Sequence, residues 1–270
     1  MLKLAAHLLD LRQLDELAAQ QTFIHRLTGS AKVLTTIVFV LAVTSFSKYE
    51  LSGLTPFFFY PIILISLGNL PYSSILKRLL AAAPFIVGIG LFNPLLDQTA
   101  LAALGPVIIS GGWISFLSIV LKLALTVSAA LILVATTGLN SIGLALLRLG
   151  APKPLVVQLL FMYRYLQVLI EEVYRLTLAY QLRAPARKGI HYQAWGSLPG
   201  QLLLRTLERA KRIYQAMLCR GFDGEIRLLH TGVWQRRDTL YLAGWSSFFI
   251  LCRFANIPQA LGRLLLEVFK

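Results

Sequence analysis

The stretch WISFLSIVLKLALTVSAALILVATTG, Trp113–Gly138, runs for 26 residues with a single charge, Lys122. A bilayer core needs about 20 mainly apolar residues of helix, each advancing about 1.5 Å, so this run predicts a membrane span. Working outward, three similar stretches precede it, at Ala31–Ser47, Leu51–Leu70 and Leu79–Leu96, and one follows, at Thr239–Ile257. The composition agrees, because 57% of the 270 residues are hydrophobic, against about 45–50% in soluble domains. Only 14% are charged. The expected fold class is therefore all-α, a polytopic membrane protein with about five transmembrane helices. The opening MLKLAAHLLDLRQLDELAAQ carries Asp10, Arg12, Asp15 and Glu16, which interrupt any apolar core of a cleaved signal peptide, so none is expected. Between the third and fourth spans, Asp97–Gly112 is rich in Gly and Ala and holds Pro106; a loop is expected there, the alternatives being a segment that dips back into the membrane or lies on its surface.

Lys and Arg near span ends stay on the cytoplasmic side. With the N-terminus inside, the cytoplasmic pieces hold 21 of the 26 cations: four in residues 1–32, Lys77 and Arg78, and fifteen from Arg148 to Arg237. The outer side holds Lys48, Arg253, Arg263 and Lys270. Lys32 and Lys48, at the ends of the short first span, are expected to snorkel. Lys122 inside the fourth span would cost roughly 2.5–3.5 kcal/mol at a helix centre. It is expected to reach the outer headgroups; the other reading is a partner across a helix interface. The chain thus divides into 1–138, the N-terminal segment and four spans; 139–238, a cytoplasmic region; and 239–270, the last span and tail.

Residues 139–238 hold fifteen Lys or Arg against six Asp or Glu. From Pro154, well placed for a first helical turn, LVVQLLFMYRYLQVLIEEVYRLTLAYQLRA continues for 30 residues without Gly or Pro. Arg164, Gln167, Glu171 and Arg175 share one face at helical spacing, and the remainder is apolar enough to lie on membrane or a partner. Pro185 disfavours helix at the residue before it, which leaves Arg183 in the last turn. A second helix is expected from about Ser197 and Pro199, with a seam of Leu203, Leu207, Ala210, Tyr214 and Met217. Another face carries Arg205, Arg209 and Arg212, with Glu208 placed to pair with Arg212. Gly221 suits a left-handed cap, so Arg220 is terminal as well.

Each long helix therefore finishes on an arginine beside a small residue, Arg183 before Ala184 and Arg220 before Gly221. Cations favour helix C-termini through the macrodipole, so ordinary capping is one reading. The other is docking, with a planar guanidinium inserted between carboxylates of another protein.

Three stretches, GGWISFLSIVLKLALTVSAALILVATTG (111–138), LRLGAPKPLVVQLLFMYRYLQVLIEEVYRLTLAYQLRA (147–184) and ERAKRIYQAMLCRGFDGEI (208–226), resemble the transmembrane, or T, component of energy-coupling factor (ECF) transporters, in particular the cobalt and nickel branch. The likeness extends more weakly to GIGLFNPLLD (88–97). It implies that Ala-Arg-Gly-like motifs at the ends of two coupling helices dock two cytoplasmic ATPase subunits. Carried over, the docking residues are Arg183, Ala184, Arg220 and Gly221. Cys219-Arg220-Gly221 is close to the motif; Leu182-Arg183-Ala184 departs from it and is followed by proline, and Arg187 is its rival.

The resemblance further implies an S component that captures the metal, and it allows a small accessory membrane subunit. No enzymatic activity and no cofactor are expected in this chain: it lacks a GxxxxGK[ST] phosphate loop, so ATP chemistry would belong to the partners. A T component serving a vitamin S component is one alternative, and a membrane scaffold without a transport cycle is another.

Other candidate chemistry is weak. His7, His25, His191 and His230 are scattered without metal-ligand spacing. Glu171 and Glu172 are adjacent and point to different helix faces. Asp223 and Glu225 are expected to brace the end of the second helix. Anionic lipid, rather than nucleic acid, is the expected neighbour of the Arg205, Arg209 and Arg212 face. Cys219 and Cys252 are expected to be free thiols.

Overall fold

The computed structural model describes residues 16–91, 94, 100–104, 107–183, 191–192, 194–224 and 233–254. They fall into two compact units, one within Leu139–Thr231 and the other within Glu16–Gly138 and Gly232–Lys270.

The second of these is a helical bundle. Helix α1 spans Gly29–Thr44. A 3₁₀ segment, Ser52–Phe58, leads directly into α2, Phe59–Leu67. The expected continuous second span is thus divided. Pro56, which has no N–H to donate, lies inside the 3₁₀ segment, and Pro61 stands in the first turn of α2, where proline is tolerated. Helix α3, Tyr72–Gly90, begins earlier than expected and includes Lys77 and Arg78. It is followed by a short antiparallel hairpin, β1 (Ala100–Leu104) with β2 (Val107–Ser110). These strands replace part of the loop expected over 97–112, and Gly111 and Gly112 open the helix that follows, while residues 97–99, 105 and 106 lie outside the described residues. Helix α4 covers Gly111–Thr137.

The other unit opens with α5, Leu139–Arg148, then α6, Lys153–Arg183, and α7, Ala194–Cys219. Helix α8, Arg236–Phe254, returns to the bundle. Apart from the hairpin the described fold is helical. Among the described residues α4 and α6 are long and apolar enough to cross a membrane, and α1, Ser52–Leu67 and α5 are shorter apolar helices.

Aromatic side chains hold the bundle together. Phe39 of α1 stacks on Tyr60 of α2 at 4.6 Å and meets Phe249 of α8 edge-on at 5.2 Å. Phe57 stacks on Phe249 at 5.8 Å, and Trp245 meets Tyr60 at 4.9 Å. Phe39, Phe57, Tyr60 and Phe249 are fully buried, and such pairs contribute about 0.5–1.5 kcal/mol each beyond area burial.

Charged groups fix both ends of α1. At its C-terminal end, Lys122 Nζ donates to Phe46 O at 2.6 Å and Ser47 O at 3.3 Å. Arg253 donates to Ser45 O at 3.0 Å, lies over the Phe46 ring at 4.5 Å, and pairs with Glu50 at 3.5 Å. Lys122 therefore does not depend on headgroups. It donates to two carbonyls of the segment just beyond α1, partners that offset part of the cost of its partial burial.

At the other end, Lys32 is buried at 4% exposure instead of snorkelling. Its Nζ donates to Thr136 O of α4 at 2.8 Å. The two Lys cross-links lie fourteen residues apart both along α1 and the residues just after it (Lys32 to Phe46) and along α4 (Lys122 to Thr136), so α1 and α4 are antiparallel. The Thr28–Asp238 and Ser45–Arg253 contacts make α1 and α8 parallel.

Candidate functional site

In the unit formed by α5, α6 and α7, the first two helices pack closely. An added Cβ at Gly143 would come within 2.8 Å of Leu160 Cδ2, so the absence of a side chain there lets α5 seat on α6. Ala145, Val156 and Leu160 are buried at this seat.

Helices α6 and α7 run antiparallel, joined at three levels. Phe161 faces Phe222 at 6.1 Å between ring centroids, Arg205 Nη1 bonds Glu172 Oε1 at 3.0 Å, and the His191 N–H donates to Tyr180 Oη at 3.2 Å. Arg205 is thus paired between helices, and among the described residues the Glu208–Arg212 pair expected within α7 does not form. Pro199 sits inside α7, which starts three residues before the expected Ser197. Between α6 and α7 runs a groove of about 1310 Å³, lined by Phe161, Tyr165, Leu169, Ile213 and Met217 and edged by Arg209.

The antiparallel pairing decides where the arginines go. Arg183 is the last residue of α6 and exposed, at the end where the chain turns toward α7. Arg220 follows the last residue of α7 and is exposed beside the Phe161 level of α6. From Phe161 to Arg183 is about 33 Å of helix at about 1.5 Å per residue. The two arginines are therefore not brought together; they occupy opposite ends of the pair. Among the described residues no hydrogen bond or ion pair engages either guanidinium. Ala184 and Arg187 lie outside the described residues.

The end of α7 has the geometry expected of Gly221. Its φ is +78°, the left-handed region that favours glycine. The Phe222 N–H donates to Met217 O at 3.0 Å, and the Gly221 N–H to Leu218 O at 3.0 Å, which is a Schellman closure. Phe222 folds back on Phe161 to complete it. Capping is thus carried by backbone, glycine and Phe222, leaving the Arg220 guanidinium without a structural duty. Among the described residues a Cβ at Gly221 would meet nothing within 4 Å, so Gly221→Ala is expected to act through conformation, costing about 1–2 kcal/mol. Gly221→Asn is expected to cost less. Amide exchange over residues 217–222 measures this; unchanged exchange in the alanine variant would refute it.

The expected seam on α7 is largely uncovered. Leu203, Leu207 and Tyr214 are each more than half exposed, whereas Leu202, Thr206 and Ile213 are partly covered. Leu155, Met162 and Leu182 of α6 are likewise exposed. This unit can grip apolar surfaces and anionic groups. Among the described residues, no group of three His, Cys, Asp or Glu is placed to hold a metal ion.

Three features escaped the reading of the sequence: the Arg205–Glu172 bridge, the Phe222 closure and the burial of Lys32 near Asp238. Only the last left a trace, as a lysine at a span end and an acid in the first turn of α8.

An uncharacterized protein of Methanocaldococcus jannaschii is 27% identical over 222 residues, covering 78% of this chain and 75% of the relative. A second uncharacterized protein of that organism is 31% identical over 106 residues, 39% of this chain and 40% of the relative. The family described as CbiQ, cobalt transport protein, matches residues 20–230. With most of its length matched and with apolar helices of spanning length, the chain is a membrane protein and belongs to the CbiQ cobalt transport family, the T components of ECF transporters.

Proposed function

We propose that this chain is the non-catalytic coupling subunit of an ATP-driven cobalt or nickel importer. In this reading α6 and α7 are the coupling helices. Arg183 with Ala184, and Arg220 with Gly221, dock two cytoplasmic ATPase subunits whose closure on ATP is passed to a membrane S component. The observation that carries it is the pair of exposed arginines ending α6 and α7 at opposite ends of one antiparallel pair, unengaged among the described residues. Two separated anchors suit two partners better than one.

The chain then crosses the membrane about five times, with the N-terminus and residues 139–238 cytoplasmic. Parallel α1 and α8 with antiparallel α4 are what an odd number of crossings requires. By composition α6 also passes for a span. Its face of Arg164, Gln167, Glu171 and Arg175, and its Glu172–Arg205 bridge to a charge-rich helix, favour the membrane surface instead. The uncovered apolar face of α7 is then available to the bilayer or the S component.

Two experiments test this. Cys219, exposed beside Arg220, is a native probe, whereas Cys252 is buried. A membrane-impermeant maleimide is expected to label Cys219 in inside-out vesicles and not in sealed right-side-out ones; the reverse pattern would put the arginines on the wrong side. Vesicles containing this chain, both ATPases and the S component are expected to accumulate cobalt or nickel only with ATP. ATPase binding without uptake would favour a scaffold.

A further inference from the structure

The two places where the chain passes between the bundle and the 139–231 unit are both fastened to the start of α1. On the outgoing side, α4 ends at Thr137, and Gly138 follows with φ +71°. Thr136 O is one of the orphan carbonyls of that terminus, and Lys32 Nζ takes it at 2.8 Å. On the returning side, Asp238 is the third residue of α8. Its Oδ2 accepts the Gln235 N–H at 2.8 Å, closing the first turn, and its Oδ1 accepts the Thr28 N–H at 2.9 Å. Asp238 is 2% exposed and Lys32 4%.

A lysine at one helix's C-terminus and an aspartate at another's N-terminus also match the two macrodipoles. Ordinary capping needs neither burial nor a shared anchor. Here one short segment, Thr28–Lys32, receives both. Around it, Thr28 Oγ1, Ser30 Oγ and Thr137 Oγ1 are buried and find no hydrogen-bond partner among the described residues. Burial of both charged groups makes fraying at these two ends costly, because a released charge would be left without its partner.

We propose that Lys32 and Asp238 form a mount that holds the outgoing and returning chain on α1, so that displacement of α6 and α7 is delivered to α4 and α8 together. They are positioning residues for coupling. This rests on the function proposed above and adds the point at which motion enters the membrane helices.

The test uses the whole complex in vesicles, with Lys32→Met, Asp238→Asn and the charge-preserving Lys32→Arg. Expected for Lys32→Met and Asp238→Asn is that the ATPases stay bound and ATP is hydrolysed, while metal uptake per ATP falls about fivefold or more, the scale of a weak coupling energy. Lys32→Arg is expected to recover most of the ratio. An unchanged ratio overturns the mount. So does loss of assembly in both neutral variants, or a parallel fall of hydrolysis and uptake, since capping alone would produce either. Failure of the docking reading would look different: the unaltered complex would lack bound ATPases.

Discussion

Arg220→Glu is expected to release an ATPase subunit while leaving the chain inserted and folded. The balance of magnitudes makes this separable. A carboxylate at the end of α7 opposes the macrodipole by about 0.3–1 kcal/mol at an exposed site, and the Schellman closure through Met217, Leu218, Gly221 and Phe222 uses no Arg220 side-chain atom. Removing one member of a desolvated charge pair at an interface typically costs about 2–5 kcal/mol, and reversal adds repulsion. At about 1.4 kcal/mol per tenfold, affinity drops tens of fold or more. Copurification of the ATPases measures the loss, and maleimide labelling of Cys219 monitors the fold around it. Arg220→Lys is expected to fall between, because it keeps the charge and loses the planar fork. Full ATPase binding by Arg220→Glu would end the docking proposal.

Arg183→Glu is expected to be as severe, and Arg187→Glu mild. Arg183 is the last helical residue of α6, and a backbone already held in a helix limits the conformational entropy lost on docking. Since about 33 Å of helix separates the Phe161 level from Arg183, the two sites share no contacts. Their effects in an Arg183→Glu, Arg220→Glu double variant should be additive in free energy, each reporting one ATPase. Equal losses at 183 and 187 would move the first anchor into the segment after α6.

The long helices were legible because their signals are local. Pro154 and Pro185 bracket α6, and Gly221 ends α7 at the expected position. The α4 span was equally plain from 26 residues with one charge. The second span was less so, because hydropathy ignores what Pro56 does to helical geometry. Lys32 and Lys122 were misjudged for a common reason. A lysine in a span is ordinarily read against lipid and water, yet here Lys32 found a backbone carbonyl of α4 and Lys122 a carbonyl of the segment just beyond α1.

By itself the sequence determined the apolar helices, the terminal placement of both arginines and the likeness to T components, all of which depend on periodicity, composition and nearby breakers. Tertiary structure alone decided that Arg183 and Arg220 stand at opposite ends of one helix pair, that Glu172 holds Arg205, and that Lys32 and Asp238 gather the ends of α4 and α8 onto α1. Those contacts join residues 33 to 210 positions apart. Local propensity carries no term for such distances; they are selected only when antiparallel packing and the satisfaction of buried helix ends bring the partners together.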